Sequence, residues 1–413
     1  MYLTHLSLTN FRNFARLDVE TPGGPVLLIG DNAQGKTSFL EAVYFLATFV
    51  SFHASNERQL INLEAHREPL AVSRILANFS RLEGPQERRQ LKSHRLEVRI
   101  VLEETQNNGG NRLHKEFLLD GNKRKMHEVI GAFNAVLFLP QTLRIIEGSP
   151  EDRRRYLNLA MAQVLPDYST TLSDYGQILT QRNALLKQLS ERNIDLVNAG
   201  IQLVYWDEKL ARTGAEIMHA RIRVLRDFER LAARIHSELS HGQEVLRISY
   251  QPSYEPLPTR PGQFVMPIDT SLDRSSLPLD KIYSSFMECL ARNRGEEITR
   301  GATTVGPHRD EIRFLANKLD LGVYGSRGQA RTAVMALKLA EVEWMKEKSG
   351  EWPVLLLDEV LAELDPLRRA DLITRLLKTE QAIMTTTDLD LFPKEFIQTA
   401  QIWRIQAGQI FKG

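Results

Sequence analysis

Four side chains carry most of the chemistry that this sequence offers: a lysine, a threonine and two adjacent carboxylates. Lys36 and Thr37 close the run Gly30-Asp31-Asn32-Ala33-Gln34-Gly35-Lys36-Thr37-Ser38, which fits G-x-x-x-x-G-K-[ST]. In such a loop the backbone N–H groups cradle phosphates, the lysine reaches the β- and γ-phosphates, and the hydroxyl sits on Mg²⁺. Asp358 and Glu359 end the apolar run Val354-Leu355-Leu356-Leu357. The first acid is placed to hold Mg²⁺ and the second to orient the attacking water or take its proton. Together the four residues point to a nucleoside triphosphate and its hydrolysis.

Elements must bring these residues together. Val26-Leu27-Leu28-Ile29 suits a buried strand, and the residues from Phe39 to Leu46 continue as a helix. Strand, glycine loop and helix N-terminus are the setting in which an anion is favoured. Residues 1–20 alternate apolar and polar positions, which predicts two strands joined through Asn10-Phe11-Arg12-Asn13-Phe14. Arg12 on this turn has two readings, a surface charge or a cation over the nucleotide. Residues 51–92 are polar and irregular and read as a peripheral insertion around one strand, Ala71 to Phe79. Leu96, Val98, Ile100 and Leu102 alternate along a half-buried strand. The loop Gln106 to Asn111, a returning strand to Leu119 and a turn at Asp120-Gly121 complete a β-meander. Ala135 to Phe138 is a further strand, ending at Leu139-Pro140-Gln141.

From Gly148 the texture is helical. Ser149 and Pro150 suit an N-cap and first helical position, with Glu151 and Asp152 in the first turn. Two antiparallel helices joined near residues 192–198 are expected, too short for a long coiled coil. Residues 251–280, with six prolines, read as an irregular connection, and a helix from about Leu279 to Asn293 returns the chain to the core. Then comes Ser326-Arg327-Gly328-Gln329, followed by Ala333, Ala336, Leu337, Ala340 and Trp344 on one helix face. Ser326 caps that helix, Gly328 lets the backbone approach a ligand, and the dipole favours a phosphate. The stretch is either a plain cap or a second anion site that closes over the nucleotide of another subunit.

Composition bounds the rest. The 413 residues are 42% hydrophobic and 25% charged, the balance of a soluble globular chain with two or three domains' worth of core. A net charge of +1 means that nucleic-acid affinity must come from a local patch. The single cysteine, Cys289, excludes a disulfide framework and a Cys-rich metal site, and reads as a core residue of a cytoplasmic protein. No signal-peptide pattern and no 18-residue apolar run is present, so no membrane span is expected.

The phosphate loop, a glutamine after a strand, S-x-G-Q before a helix, and four apolar residues before Asp-Glu occur in an order that resembles the ATP-binding-cassette ATPase head. More narrowly, the sequence resembles the RecF family of bacterial DNA replication and repair proteins, related to chromosome-maintenance heads. The matching pieces are Asn10 to Asn13, Gly30 to Thr37, Gly148-Ser149-Pro150 with Arg153-Arg154, Arg182 to Lys187, Trp206-Asp207, Gly306 to Asp310 and Ser326 to Glu341. They run through nearly the whole chain. The resemblance implies an α/β, phosphate-loop ATPase head with a β-meander subdomain and an inserted helical arm. Its halves would be residues 1–147 and 298–413, around an arm of 148–297. It implies ATP and Mg²⁺ as cofactors and an ATP-dependent homodimer. Lys36, Thr37, Asp358 and Glu359 of one subunit would meet Ser326, Gly328 and Gln329 of the other. Gln141 would sense metal and γ-phosphate, Asp365 would lie on the loop crossing the interface, and Arg12 would lie at the nucleotide.

The family binds DNA at single-strand/double-strand junctions and helps load recombinase at gaps with mediator proteins, in gap repair and the SOS response. A weak DNA-stimulated ATPase acting as a switch is the expected activity.

Some positions depart from the family. Pro140-Gln141 stands where Pro-Glu is usual, Thr387 occupies the place of the transporter switch histidine, and Asn158 and Glu311 stand where aspartates are expected. Insertions at 80–92 and 105–112 read as decoration. His308-Arg309 is either a structural pair or a nucleotide or DNA contact. Arg153-Arg154-Arg155 is either a solvated helix face or a set of DNA-phosphate contacts. Two other functions compete. A transporter ATPase subunit would need a membrane partner. A nuclease-coupled ATPase would need an acidic metal-nuclease domain, for which no room is expected after Gly413.

Overall fold

In this computed structural model, residues 1–84, 88–104, 111–192, 194–257 and 274–412 are described. The chain first forms β1 (Tyr2–Phe11), β2 (Phe14–Glu20), β3 (Gly24–Ile29), α1 (Lys36–Thr48), β4 (Leu70–Glu83), β5 (Gln90–Glu104), β6 (Asn111–Leu119), β7 (Asn122–Arg124), α2 (Met126–Val129) and β8 (Ala135–Phe138). It continues with α3 (Arg144–Glu147), α4 (Pro150–Ala162), α5 (Tyr168–Glu191), α6 (Leu196–Leu239), β9 (Leu246–Gln251), α7 (Leu279–Arg300), β10 (Glu311–Ala316), β11 (Leu319–Asp320), α8 (Leu321–Tyr324) and α9 (Arg327–Ser349). It closes with β12 (Val354–Asp358), α10 (Pro366–Leu376), β13 (Gln381–Thr386), α11 (Lys394–Thr399), β14 (Gln401–Gln406) and β15 (Gln409–Lys412). Two units result: Met1–Thr142 with Glu341–Gly413, and Leu143–Ala340.

The first unit holds two six-stranded sheets. One is antiparallel in the order β2-β1-β4-β5-β6-β7, the meander continued into the first two strands. The other has the order β15-β14-β3-β13-β12-β8, parallel except at the β15 edge. The buried strands of the parallel sheet read as unbroken apolar runs: Val354 to Leu357 are all buried. Phe39, Leu40, Val43 and Leu46 of α1 join the apolar faces of both sheets in one core. The segment 51–92 is not peripheral. β4 runs 14 residues, with β1 on one side and β5 on the other. Its polar texture misleads because Arg74 and Asn78 alternate with the buried Ile75, Ala77 and Phe79.

In the second unit α4 starts on a capping box. Asp152 N–H donates to Ser149 Oγ at 3.2 Å, and Ser149 N–H to the Asp152 carboxylate at 2.8 Å. α5 and α6 form the expected helix pair, and Asp195 caps the 44-residue α6. α7 continues seven residues past Asn293, because Glu297 and Ile298 are buried there, and Gly301 then ends it at φ 60°. The segment 298–340 belongs to this unit through β10, which pairs antiparallel with β9. Of the irregular connection, residues 258–273 lie outside the described residues, as do 85–87 and 105–110 of the two insertions.

A polar core holds this unit's helices. Arg182 is fully buried; it reaches Asp207 on α6 at 2.8 Å, Glu297 on α7 at 2.8 Å and the Thr303 hydroxyl at 2.8 Å. Arg221 donates to Pro307 O at 2.6 Å and meets Asp310 at 3.3 Å. Asp310 also accepts from the Tyr250 hydroxyl and from Ser253 N–H.

Candidate nucleotide site

The phosphate loop leaves the C-terminal end of β3 and enters α1 through Gly35, whose φ of 116° suits glycine. A Cβ at Gly35 would lie 2.6 Å from Asn13 Nδ2, and one at Gly30 would lie 2.4 Å from Ile405 O. Neither position has space for a side chain. The loop is braced from two directions. Asn13 Nδ2 donates to Gln34 O at 3.1 Å. Ala407 N–H donates to Gln34 Oε1 at 2.7 Å, and Gly408 N–H to Gln34 O at 3.2 Å.

Lys36 is buried, and its ammonium donates to Gly30 O at 2.6 Å and Asp31 O at 3.4 Å. Glu359 stands 3.2 Å from the same ammonium. The Thr37 hydroxyl donates to Asp358 at 3.0 Å, and the Thr385 hydroxyl donates to it at 2.7 Å. Thr385 Oγ1 in turn accepts the Glu359 N–H at 3.0 Å. The parallel register explains the meeting, since Asp358 pairs with Thr385. Burial raises the Asp358 carboxyl above its ordinary range, against the two hydroxyl bonds. Glu359 follows the strand with a left-handed φ of 52° and lines the cavity beside Lys36.

Arg12 also has a left-handed φ, 53°. Its guanidinium holds Glu41 of α1 in a fork at 2.7 and 2.8 Å and donates to Gln59 O at 3.0 Å. Arg12 is therefore built into a wall rather than carried as a plain surface charge. That wall borders an open cavity of about 1090 Å³, room enough for a ligand of nucleotide size. Arg12, Asp31, Asn32, Ala33, Gly35, Lys36, Thr37 and Ser38 line it, with Gln141, Asp358 and Glu359. Gly30 and Gln34 brace the loop through their backbone and side chain. The segment 53–66 also lines the cavity, through Arg58, Asn62 and His66 among others, and is tied to Arg12 by Gln59 O and Asn62 Nδ2.

The remaining candidates sit elsewhere. Ser326 caps α9: Gln329 N–H donates to Ser326 Oγ at 3.2 Å, and Ser326 N–H donates to Gln329 Oε1 at 3.0 Å. Ser326 and Gly328 are exposed. Asp365 caps α10, accepting from Leu367 N–H and Arg368 N–H at 3.1 Å each. Thr387 is exposed, and the hydroxyl that meets Asp358 is Thr385.

His308 is a structural residue. Its Nδ1 pairs with the Tyr175 hydroxyl at 2.7 Å, and burial pushes its pKa down to about 4. The three arginines do not share a face. Arg153 forks onto Glu311 at 2.9 Å through two nitrogens, Arg154 donates to Asp310 O at 2.7 Å, and Arg155 is exposed. Glu311, and Asn158 with Arg221 at 3.2 Å, thus serve the scaffold.

Sequence reading missed Thr385, Glu41, Asn13 and the 53–66 wall. A carboxylate on the buried side of α1 was the available signal for Glu41.

Comparison with known proteins places this geometry. A family model described as "RecF/RecN/SMC N terminal domain" matches residues 2–407. The "DNA replication and repair protein RecF" of Chloroflexus aggregans is 36% identical over 419 residues, covering all of both chains. That of Lacticaseibacillus paracasei is 36% identical over 413 residues, covering 99% of each. The chain belongs to the RecF family. A solved structure of "the recombination mediator protein RecF-ATP in RecFOR pathway" superposes with a TM-score of 0.79 at 28% identity, over 100% of this chain and 99% of the other. A solved structure of "the SmcHead bound to the C-winged helix domain of ScpA" matches with a TM-score of 0.51 at 14% identity, over 100% of this chain and 98% of the other, which shows a shared fold. Among the described residues no helix is long and apolar enough to cross a membrane.

Proposed function

We propose that this chain is an ATP-switched, DNA-acting ATPase of replication and recombinational repair. The observation that carries the reading is the convergence of Lys36, Thr37, Asp358 and Glu359 on one cavity beneath a braced phosphate loop. Lys36, now held by backbone carbonyls, would exchange them for the phosphates of ATP. Thr37, Asp358 and Gln141 offer hard oxygen donors that fit Mg²⁺. No group of three or more His, Cys, Asp or Glu side chains among the described residues could hold a metal by itself. A Mg²⁺ ion here would lean on phosphate oxygens and water, as is usual for this ion, and would neutralise charge on the phosphates. Glu359, which lines the cavity beside Lys36, is the candidate base for the attacking water.

Ser326 and Gly328, exposed at the start of α9, are assigned to the nucleotide of a second copy. ATP binding then closes a homodimer on single-stranded or gapped DNA, and slow hydrolysis opens it. Gln329 and Asp365 support that interface. Mediator proteins are the expected partners, in keeping with the pathway that the solved relative's title names. A transporter subunit is not favoured, given a family of DNA repair proteins.

The test measures ATPase rate and oligomer mass with and without gapped DNA, for the native chain and for Ser326→Arg. Native protein should dimerise with ATP and hydrolyse faster on DNA. Ser326→Arg should bind ATP and stay monomeric; a variant that still dimerised would end the composite-site reading.

A further inference from the structure

The caps on α9 lead to a residue outside the motif. Gln329 has both ends of its side-chain amide committed. Its oxygen accepts the Ser326 N–H at 3.0 Å, and its nitrogen donates to Glu244 Oε1 at 2.7 Å. The amide plane is therefore oriented by Glu244, and the amide oxygen in turn holds the Ser326 backbone. Glu244 is largely buried, and its other oxygen lies 3.5 Å from Nε2 of the fully buried His236 on α6.

The turn that presents Glu244 is itself held. It leaves α6 through consecutive left-handed residues, His241 at φ 52° and Gly242 at φ 75°. Asn317, at the β10–β11 turn, then clamps it. Val245 N–H donates to Asn317 Oδ1 at 3.0 Å, Asn317 N–H to Val245 O at 3.1 Å, and Asn317 Nδ2 to Gln243 O at 3.3 Å. The clamp fixes the backbone on either side of Glu244, whose carboxylate then meets Gln329 and His236.

We propose that Glu244 is a positioning residue for the signature serine: through Gln329 it fixes the conformation in which Ser326 is offered to the nucleotide of the second copy. Gln329 is then a lever rather than a nucleotide ligand. The long helix α6 ends one turn away from Glu244, so any displacement of that helix end is passed to Ser326 by two hydrogen bonds. This rests on the composite-site reading above.

The experiment uses the full chain with a non-hydrolysed ATP analogue and reads two quantities: nucleotide affinity of the monomer, and the dimer dissociation constant by sedimentation. Glu244→Ala should leave monomer affinity unchanged and weaken the dimer by about tenfold, the scale of one hydrogen bond to a charged group. Glu244→Gln keeps an acceptor and should restore dimerisation to within about threefold of native, the smaller scale of a neutral hydrogen bond. Gln329→Ala should lose as much as Glu244→Ala, and the double variant no more than either, because both act through one path. A native dimer constant in Glu244→Ala, beside a monomeric Ser326→Arg, overturns the proposal alone. Additive losses in the double variant overturn it too. A dimeric Ser326→Arg would remove the composite-site reading beneath it.

Discussion

Two clusters of charged residues in this molecule resemble each other in composition and differ in how they are satisfied. Around the phosphate loop, Lys36, Glu359, Asp358 and Thr37 contact one another at the edge of a cavity open to solvent. Around Arg182 and Arg221, the arginines, Asp207, Glu297 and Asp310 are enclosed and meet permanent partners on several elements. Asp358 and Asp310 both have carboxyls raised by burial. Asp310 is compensated by Arg221, Tyr250 and Ser253. Among the described residues Asp358 is met by two hydroxyls, with the charge of Lys36 acting on it, an arrangement that suits exchange for a cation. Buried, saturated charge specifies a scaffold; half-satisfied charge beside a cavity is available for chemistry.

Breaking the scaffold cluster should have the largest effect. Asp310→Ala leaves the Arg221 guanidinium enclosed without its carboxylate, and should destabilise the second unit by about 3–5 kcal/mol in denaturant unfolding. A loss below about 1 kcal/mol would mean that water already reaches Arg221.

The matching change at the site should act in the opposite sense on stability. Since burial raises the folded pKa of Asp358, its carboxylate costs stability once pH rises above the ordinary carboxyl range near 4, and the cost is absent below it. Asp358→Asn should therefore unfold no earlier than native at pH 7, while hydrolysis falls by roughly 100-fold or more. A destabilised Asn variant would show that Asp358 belongs with the scaffold.

A smaller effect separates the clusters by pH. His308 has a folded pKa of about 4, below the unfolded value near 6.5. Its contribution is complete above pH 6.5 and is lost as pH falls from there toward 4. Thermal unfolding of native protein should weaken over that window, and more steeply than that of His308→Gln; equal slopes would exclude His308 as the cause.

The smallest effect concerns DNA. Arg155→Ala should lower the slope of log affinity against log salt by about 1 without changing stability, the mark of one lost phosphate contact. Arg153→Ala should instead cost about 1–3 kcal/mol of stability, through Glu311 left without its fork. The reverse pattern would reassign both residues.

The site was legible in sequence where function demands a contiguous pattern. The Gly30 to Thr37 loop and the Asp358-Glu359 pair each occupy one strand end, so spacing alone exposes them. Ser326 as a helix cap was legible for the same reason, since the Ser326-to-Gln329 capping box is a local feature. Thr385 was not, because its role depends on β13 lying beside β12 in a parallel register that no local pattern encodes. The 53–66 wall was hidden by polar composition, which is shared by loops that wander and loops that line a cavity. The Arg153-Arg154-Arg155 run was misleading in a different way. Consecutive arginines look alike in sequence, and only the elements around them decide that two are partly buried on fixed partners and one is exposed.

The bracing of the phosphate loop by Ile405, Ala407 and Gly408 has a consequence for biosynthesis. The loop leaves the ribosome well before the strand that backs it and the N–H groups that hold Gln34, because Gln34 and Ala407 are 373 residues apart. At about 5–20 residues per second, the interval is roughly 20–80 s. Through that time the nascent chain carries the motif without the site. Capture of nucleotide thus waits on the synthesis of residues 405–408.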